Sequence, residues 1–184
     1  PVLNTAKSTM VHELQHLINY SYYYVNSSIT QPMPLWLDEG LAMAAEHMLY
    51  GALTSRISYF NNSATIRDGR SLFDWNNNNP DILANYALSY VFVQYLRAQT
   101  KDFNGGGTEI YKKFIQSTNR TSTVVLDIMR QFYSTITLDE ILINFRIATR
   151  LKETTGFYGF MGEASLNNIN HPIFIGSSAS LAGG

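Results

Sequence analysis

The sequence predicts a mainly α-helical chain, on three observations. Apolar residues return at helical spacing in successive segments. Clusters of Pro, Gly and Asn fall between those segments, and capping residues stand where two of the helices should begin. With 184 residues, 45% of them apolar and 13% aromatic, the chain can build a core of its own and fits one domain. It shows no internal repeat and no second domain.

The first helix is expected from about Thr5 to Tyr24, where Met10, Val11, Leu14, Leu17 and Ile18 recur at helical spacing. It should stop near Asn26-Ser27-Ser28. Pro32 and Pro34 cannot lie inside a helix, since each lacks an N–H and restricts the residue before it. Leu35 to Tyr50 resumes the helical pattern, with Gly40, Ala42, Ala44 and Ala45 small enough for close helix contact. A short helix is expected around Thr54 to Phe60, and a loop from Asn61 to Pro80. Asp81 should cap a helix over Ile82 to Gln99, whose strongly apolar pattern marks it as central. Helices follow around Ile110 to Ile115 and Val124 to Phe132. Another should open at the Thr137/Glu140 capping box, with Ile141, Leu142, Phe145, Ala148 and Leu151 at core spacing. Residues 154–184 read as an irregular tail, with a strand expected at Ile173 to Ile175.

Charge and composition exclude several functions. Thirteen Lys and Arg balance fourteen Asp and Glu without a basic run, so the chain lacks the basic stripe a nucleic-acid binder needs. The absence of cysteine removes disulfides, thiol catalysis and Cys-based zinc sites, and leaves His, Asp and Glu as the strong metal ligands. No apolar run reaches the roughly 18 to 20 residues of a membrane-spanning helix. The start, Pro1-Val2-Leu3, has neither an initiator Met nor a signal-peptide pattern, and the expectation is that preceding chain has been removed or is absent.

The segment that carries chemistry is His12-Glu13-Leu14-Gln15-His16, an H-E-x-x-H motif inside the first helix. Composition alone would produce it in only about three chains in a thousand. At 100° per residue His16 lies roughly 40° from His12 and Glu13 roughly 100°, whereas Met10, Leu14, Leu17 and Ile18 lie at about 140° to 240°. The helix is therefore two-faced: one face is expected to supply core contacts, and the other presents two imidazoles one turn apart that can reach a common Zn²⁺. Glu13 flanks the pair, where a carboxylate can accept the proton of a metal-activated water rather than bind the ion.

A catalytic zinc with two His needs a third protein ligand and one open position. Glu39, in Trp36-Leu37-Asp38-Glu39-Gly40-Leu41-Ala42, is the leading candidate, since the Pro-containing loop lets its helix pack back on the first. Glu46 shares its face two turns on, about 10.5 Å along the axis. Only one of the two can bind the same ion directly, and the other can orient a ligand from behind.

HELQH followed by WLDEGLA resembles the gluzincin metallopeptidases, in particular the hyicolysin-like bacterial peptidases, and more distantly aminopeptidase N and the thermolysin-like enzymes. The resemblance implies His12, His16 and Glu39 as zinc ligands and Glu13 as the catalytic carboxylate. Twenty-two residues separate His16 from Glu39, somewhat more than in aminopeptidase N, and Met43 stands where thermolysin has an acidic residue one turn after its Glu ligand. Asn85-Tyr86-Ala87-Leu88-Ser89-Tyr90 resembles the aminopeptidase segment whose tyrosine faces the oxyanion, which implies Tyr86 in that role and leaves Tyr90 as the nearby alternative. His47 and His171 are not favoured as ligands.

The resemblance further implies a zincin-like catalytic region made of the motif helix and a C-terminal helical subdomain. The sheet a zincin carries upstream is expected to lie outside this chain. Residues 1–184 thus read as a single zincin-like domain lacking its N-terminal part. The implied activity is zinc-dependent hydrolysis of peptide or protein substrates by a secreted or cell-surface bacterial protein. The alternative is a catalytically inactive zincin-like binding module, which would more often have lost Glu13 or a ligand.

Overall fold

The computed structural model describes residues 2–75 and 80–172, and none of the described residues lies in a strand. Among the described residues eight α-helices follow one another: α1 (Val2–Val25), α2 (Leu35–Tyr50), α3 (Thr54–Asn62), α4 (Ala64–Arg67), α5 (Ile82–Thr100), α6 (Glu109–Gln116), α7 (Val124–Met129) and α8 (Leu138–Leu151). A 3₁₀ turn at Ala164–Leu166 completes the list. The expected strand at Ile173 to Ile175 falls outside the described residues.

Helix α5 is the axis of the molecule. Asp81 caps it by accepting from the Ala84 N–H, and its residues are buried on nearly every side, as expected of a helix apolar all round. The Phe92 ring lies 6.0 Å from that of Trp36 on α2 and 5.0 Å from Phe145 on α8, joining three helices through edge-on aromatic contacts. Helix α8 starts at the complete Thr137/Glu140 capping box. Residues 154–172 have no long helix but are pinned to the far half of α5 and the residue that ends it: Tyr95 Oη, Gln99 Nε2 and Lys101 Nζ donate to the carbonyls of Phe157, Gly159 and Met161.

Helix α2 is seated against α5 at Gly40, where a Cβ would meet Val93 Cγ2 at 2.7 Å. Only a hydrogen fits there, so Gly40 sets how closely the Glu39-bearing helix approaches the core. Pro34 ends the preceding loop, and its carbonyl accepts from the N–H groups of Leu37 and Asp38 at 2.9 and 3.0 Å to start α2.

Two expectations fail. The 61–80 loop contains the single helical turn α4, capped by Ser63 Oγ accepting from the Ile66 N–H; four residues are too few to show a period. The orientation of α1 is also the reverse of that expected. Its apolar face is not in the core: Met10, Leu14 and Leu17 are 71%, 55% and 58% exposed. The polar face, with His12, His16 and the buried Asn19, is the one packed on α2. Periodicity distinguishes two faces of a helix but does not say which one meets its neighbour, and here polar pairing decides.

Candidate metal centre

His12 and His16 lie one turn apart on α1, and their ring centroids are 4.8 Å from each other. Glu39, in the second turn of α2, points its carboxylate between them. Its Oε2 lies 3.2 Å from His12 Nε2 and 3.5 Å from His16 Nε2. One ligand atom from each of the three residues falls within 4.8 Å of the others. A tetrahedral ion with bonds of about 2.0–2.2 Å spaces its donors by roughly 3.4 Å, so the two nitrogens and one oxygen suit a zinc ion that keeps a fourth position open.

Each imidazole is braced from behind by a different carboxylate. His12 Nδ1 lies 2.8 Å from Glu46 Oε1, and Glu46 in turn accepts from the Ser8 hydroxyl. His16 Nδ1 lies 2.8 Å from Asp38 Oδ2, whose other oxygen accepts from Asn19 Nδ2 at 2.6 Å, while Gln15 Nε2 donates to Asn19 Oδ1 at 2.8 Å. A carboxylate on Nδ1 fixes the tautomer and turns Nε2 toward the centre. Asp38, Asn19 and Ser8 were not foreseen in the sequence. The one signal for Asp38 is its place immediately before Glu39, and reading its role needs the relative rotation of α1 and α2.

The electrostatics follow from this pairing. The bonds to Glu39 and then Glu46 raise His12 to about 9, against the cost of burial. Those to Asp38 and then Glu39 raise His16 to about 10. Burial pushes Glu39 up, but the two imidazoles outweigh it and bring the carboxyl down to about 2. In the metal-free protein the centre is therefore an anion held between two protonated imidazoles, with protons occupying the nitrogens that face inward.

Glu13 stands beside the cluster on the exposed side of α1, at the edge of a groove of about 600 Å³ that Met10, Leu14, Leu17 and Tyr50 also line. Tyr86, in the second turn of α5, donates to Glu39 Oε1 at 3.1 Å. Its ring is held between Arg56, whose Cζ lies 4.9 Å from the centroid, and Trp75, edge-on at 5.2 Å. Tyr90 is placed differently. It is fully buried, accepts from the Leu53 N–H at 3.0 Å, and its hydroxyl lies 2.7 Å from His47 Nδ1. His47 is thus tied to Tyr90 rather than to the cluster, and His171 bonds to Thr149.

No family model matches the chain. Over 165 residues, 89% of its length, it is 41% identical to the neutral metalloprotease ShpI of Staphylococcus hyicus. The chain is a relative of a bacterial metalloprotease. It spans 36% of that protein's length, so the similarity covers about a third of ShpI and nearly all of the chain in which His12, Glu13, His16, Glu39 and Tyr86 lie.

Proposed function

We propose that the protein is a zinc-dependent metallopeptidase of the gluzincin type, with His12, His16 and Glu39 as the metal ligands and Glu13 as general base. The observation that carries this reading is the convergence of two imidazoles and one carboxylate, each imidazole braced by a second carboxylate. Such an arrangement has little use as a purely structural device, because it gathers three acidic groups and two histidines at a partly open surface. The metalloprotease relative supports the same reading independently.

A zinc ion held by these residues supplies Lewis acidity toward a peptide carbonyl and brings the pKa of a water toward about 7. The remaining work falls to the chain. Glu13 takes the proton of the attacking water and returns it to the departing amine nitrogen, and its lack of a ligand's place leaves its oxygens free to do so. Tyr86 turns its O–H from Glu39 to the oxygen on which negative charge develops, while Arg56 and Trp75 hold the ring in place. Glu46 and Asp38 keep the imidazoles aimed through Nε2. The substrate is a peptide or protein, and the site of action is outside a bacterial cell. No described helix is long and apolar enough to cross a membrane. The inactive-module alternative is not favoured, since Glu13 and the three candidate ligands are all retained.

Zinc analysis joined to casein digestion tests this. One zinc per chain, with digestion stopped by a chelator and restored by zinc, is the expected result. A protein that takes up no zinc, or digests equally well after chelation, would contradict it.

A further inference from the structure

Away from the metal centre, a cavity of about 390 Å³ lies between the 69–73 loop and α8, lined by Arg70, Ser71, Phe73, Leu142, Ile143 and Arg146 among others. None of His12, Glu13, His16, Glu39 or Tyr86 reaches it. Its walls are apolar apart from Ser71 and the two arginines, and the only carboxylate paired with either is Asp74, at the limit of an ion pair with Arg70. All 14 acidic side chains of the chain lie among the described residues, and none forms an ion pair with Arg146. Arg146 instead donates to the Arg70 carbonyl at 2.6 Å, and burial pushes it below its ordinary value. Arg70 has only Asp74, 3.9 Å from Nη1 and itself 62% exposed.

The unmet demand has a definite shape. Arg70 Nε and Nη2 are closed off from water and have no acceptor among the described residues. Those two N–H groups form the edge by which a guanidinium grips both oxygens of a carboxylate. Three residues earlier Arg67 uses that edge on Asp68, with Nε to Oδ1 at 2.8 Å and Nη2 to Oδ2 at 3.2 Å. Charges withdrawn from water are ordinarily well paired, so two half-buried cations sharing one cavity, with a single distant and exposed carboxylate between them and two closed-off N–H groups unmet, point to a ligand that brings an anion.

We propose that this cavity binds a carboxylate carried on an apolar body, with the carboxylate between Arg70 and Arg146 and the body against Phe73, Leu142 and Ile143. The weak contact to Asp74 gives way as Arg70 turns its closed edge to the incoming oxygens. The volume suits a leucine-sized group. The same chemistry is offered by a free short-chain acid and by the C-terminal residue of a peptide.

Both sources can be separated by titrating the protein, zinc-free and zinc-loaded, with 4-methylpentanoate and with N-acetylleucine, reading backbone amide shifts by NMR. Either acid should shift the Leu142 and Ile143 amides and saturate in both metal states, at least about tenfold tighter than 4-methylpentanamide, which has the same body without the charge. It should also bind about tenfold tighter than acetate or inorganic phosphate, which lack the body. Tighter binding of N-acetylleucine assigns the site to peptide C-termini, and the reverse order assigns it to free acids. Arg146→Gln should abolish the shifts. Ile143→Trp should do the same by filling the cavity from its exposed rim while leaving both arginines in place, so the test stands even if Arg146→Gln does not fold. Equal binding of acid and amide, equal binding of phosphate, or shifts gathered around His12 and His16 instead would overturn the proposal.

Discussion

Asp38 Oδ2 lies 2.8 Å from Nδ1 of His16, so the residue immediately before Glu39 holds the second imidazole while Glu39 faces both. Glu46 does the same for His12 from two turns further along α2. One helix thus supplies the candidate ligand and both braces. Asp38→Ala and Glu46→Ala should each weaken zinc affinity by about 10- to 100-fold, as loss of an outer partner usually does. Glu39→Ala should cost more than either. Competition titrations with a chromophoric chelator would show the order, and a larger loss for Glu46→Ala would exchange the roles of the two glutamates.

Metal binding should be strongly coupled to protons. With His12 raised to about 9 and His16 to about 10, both imidazoles are protonated in the metal-free protein at pH 7, and both must lose a proton to bind an ion. Calorimetry in buffers of different ionisation enthalpy should find about two protons released per zinc at pH 7. The same raised values have a consequence for stability. A group raised on folding stabilises the fold fully below its unfolded value near 6.5, and that contribution is lost as pH rises through the folded value. The metal-free protein should therefore lose melting temperature between neutrality and about pH 10. Glu39, lowered to about 2, contributes in the opposite sense, and its share should be lost as pH falls from about 4.5 toward 2. A flat profile above pH 7 would mean that the imidazoles are not held as described.

Much of the fold was legible because its signals are local. The caps at Asp81 and Thr137, the small face of α2 at Gly40, and the motif helix each depend on residues within a turn or two of one another. What escaped depends on how helices are rotated against each other. The brace of His16 by Asp38 and Asn19 crosses between α1 and α2, and neither residue has a spacing that announces it. The exposure of Met10, Leu14 and Leu17 belongs to the same class, since the pattern marks them as one stripe and the pairing of His12 and His16 with α2 turns that stripe outward. The turn α4 was lost for a different reason, its brevity.

Gly40 offers a structural test away from the chemistry. Gly40→Ala places a methyl 2.7 Å from Val93 Cγ2 and should cost about 1–3 kcal/mol of stability by overpacking the α2–α5 contact. Because the same helix carries Asp38, Glu39 and Glu46, zinc affinity should fall with it. Chemical denaturation beside zinc titration measures both, and unchanged stability would show that α2 can shift without cost.

Tyr86 and Tyr90 should separate cleanly. Tyr86→Phe removes the hydroxyl that reaches Glu39 Oε1 and should lower turnover by about 10²- to 10³-fold with one zinc per chain retained. Tyr90→Phe strips a partner from the Leu53 N–H and from His47, and should cost about 1–3 kcal/mol of stability while the folded protein keeps its turnover. Full activity in Tyr86→Phe would reduce Tyr86 to a packing residue between Arg56 and Trp75.

On the proposed mechanism Glu13 moves the proton at a centre whose metal is held by His12, His16 and Glu39. Glu13→Gln preserves size and removes the base, and the decisive experiment is its zinc content measured together with casein digestion. The variant should keep one zinc per chain and lose hydrolysis by several orders of magnitude. Loss of zinc in that variant would make Glu13 a ligand, and digestion at the unsubstituted rate would remove it from the reaction.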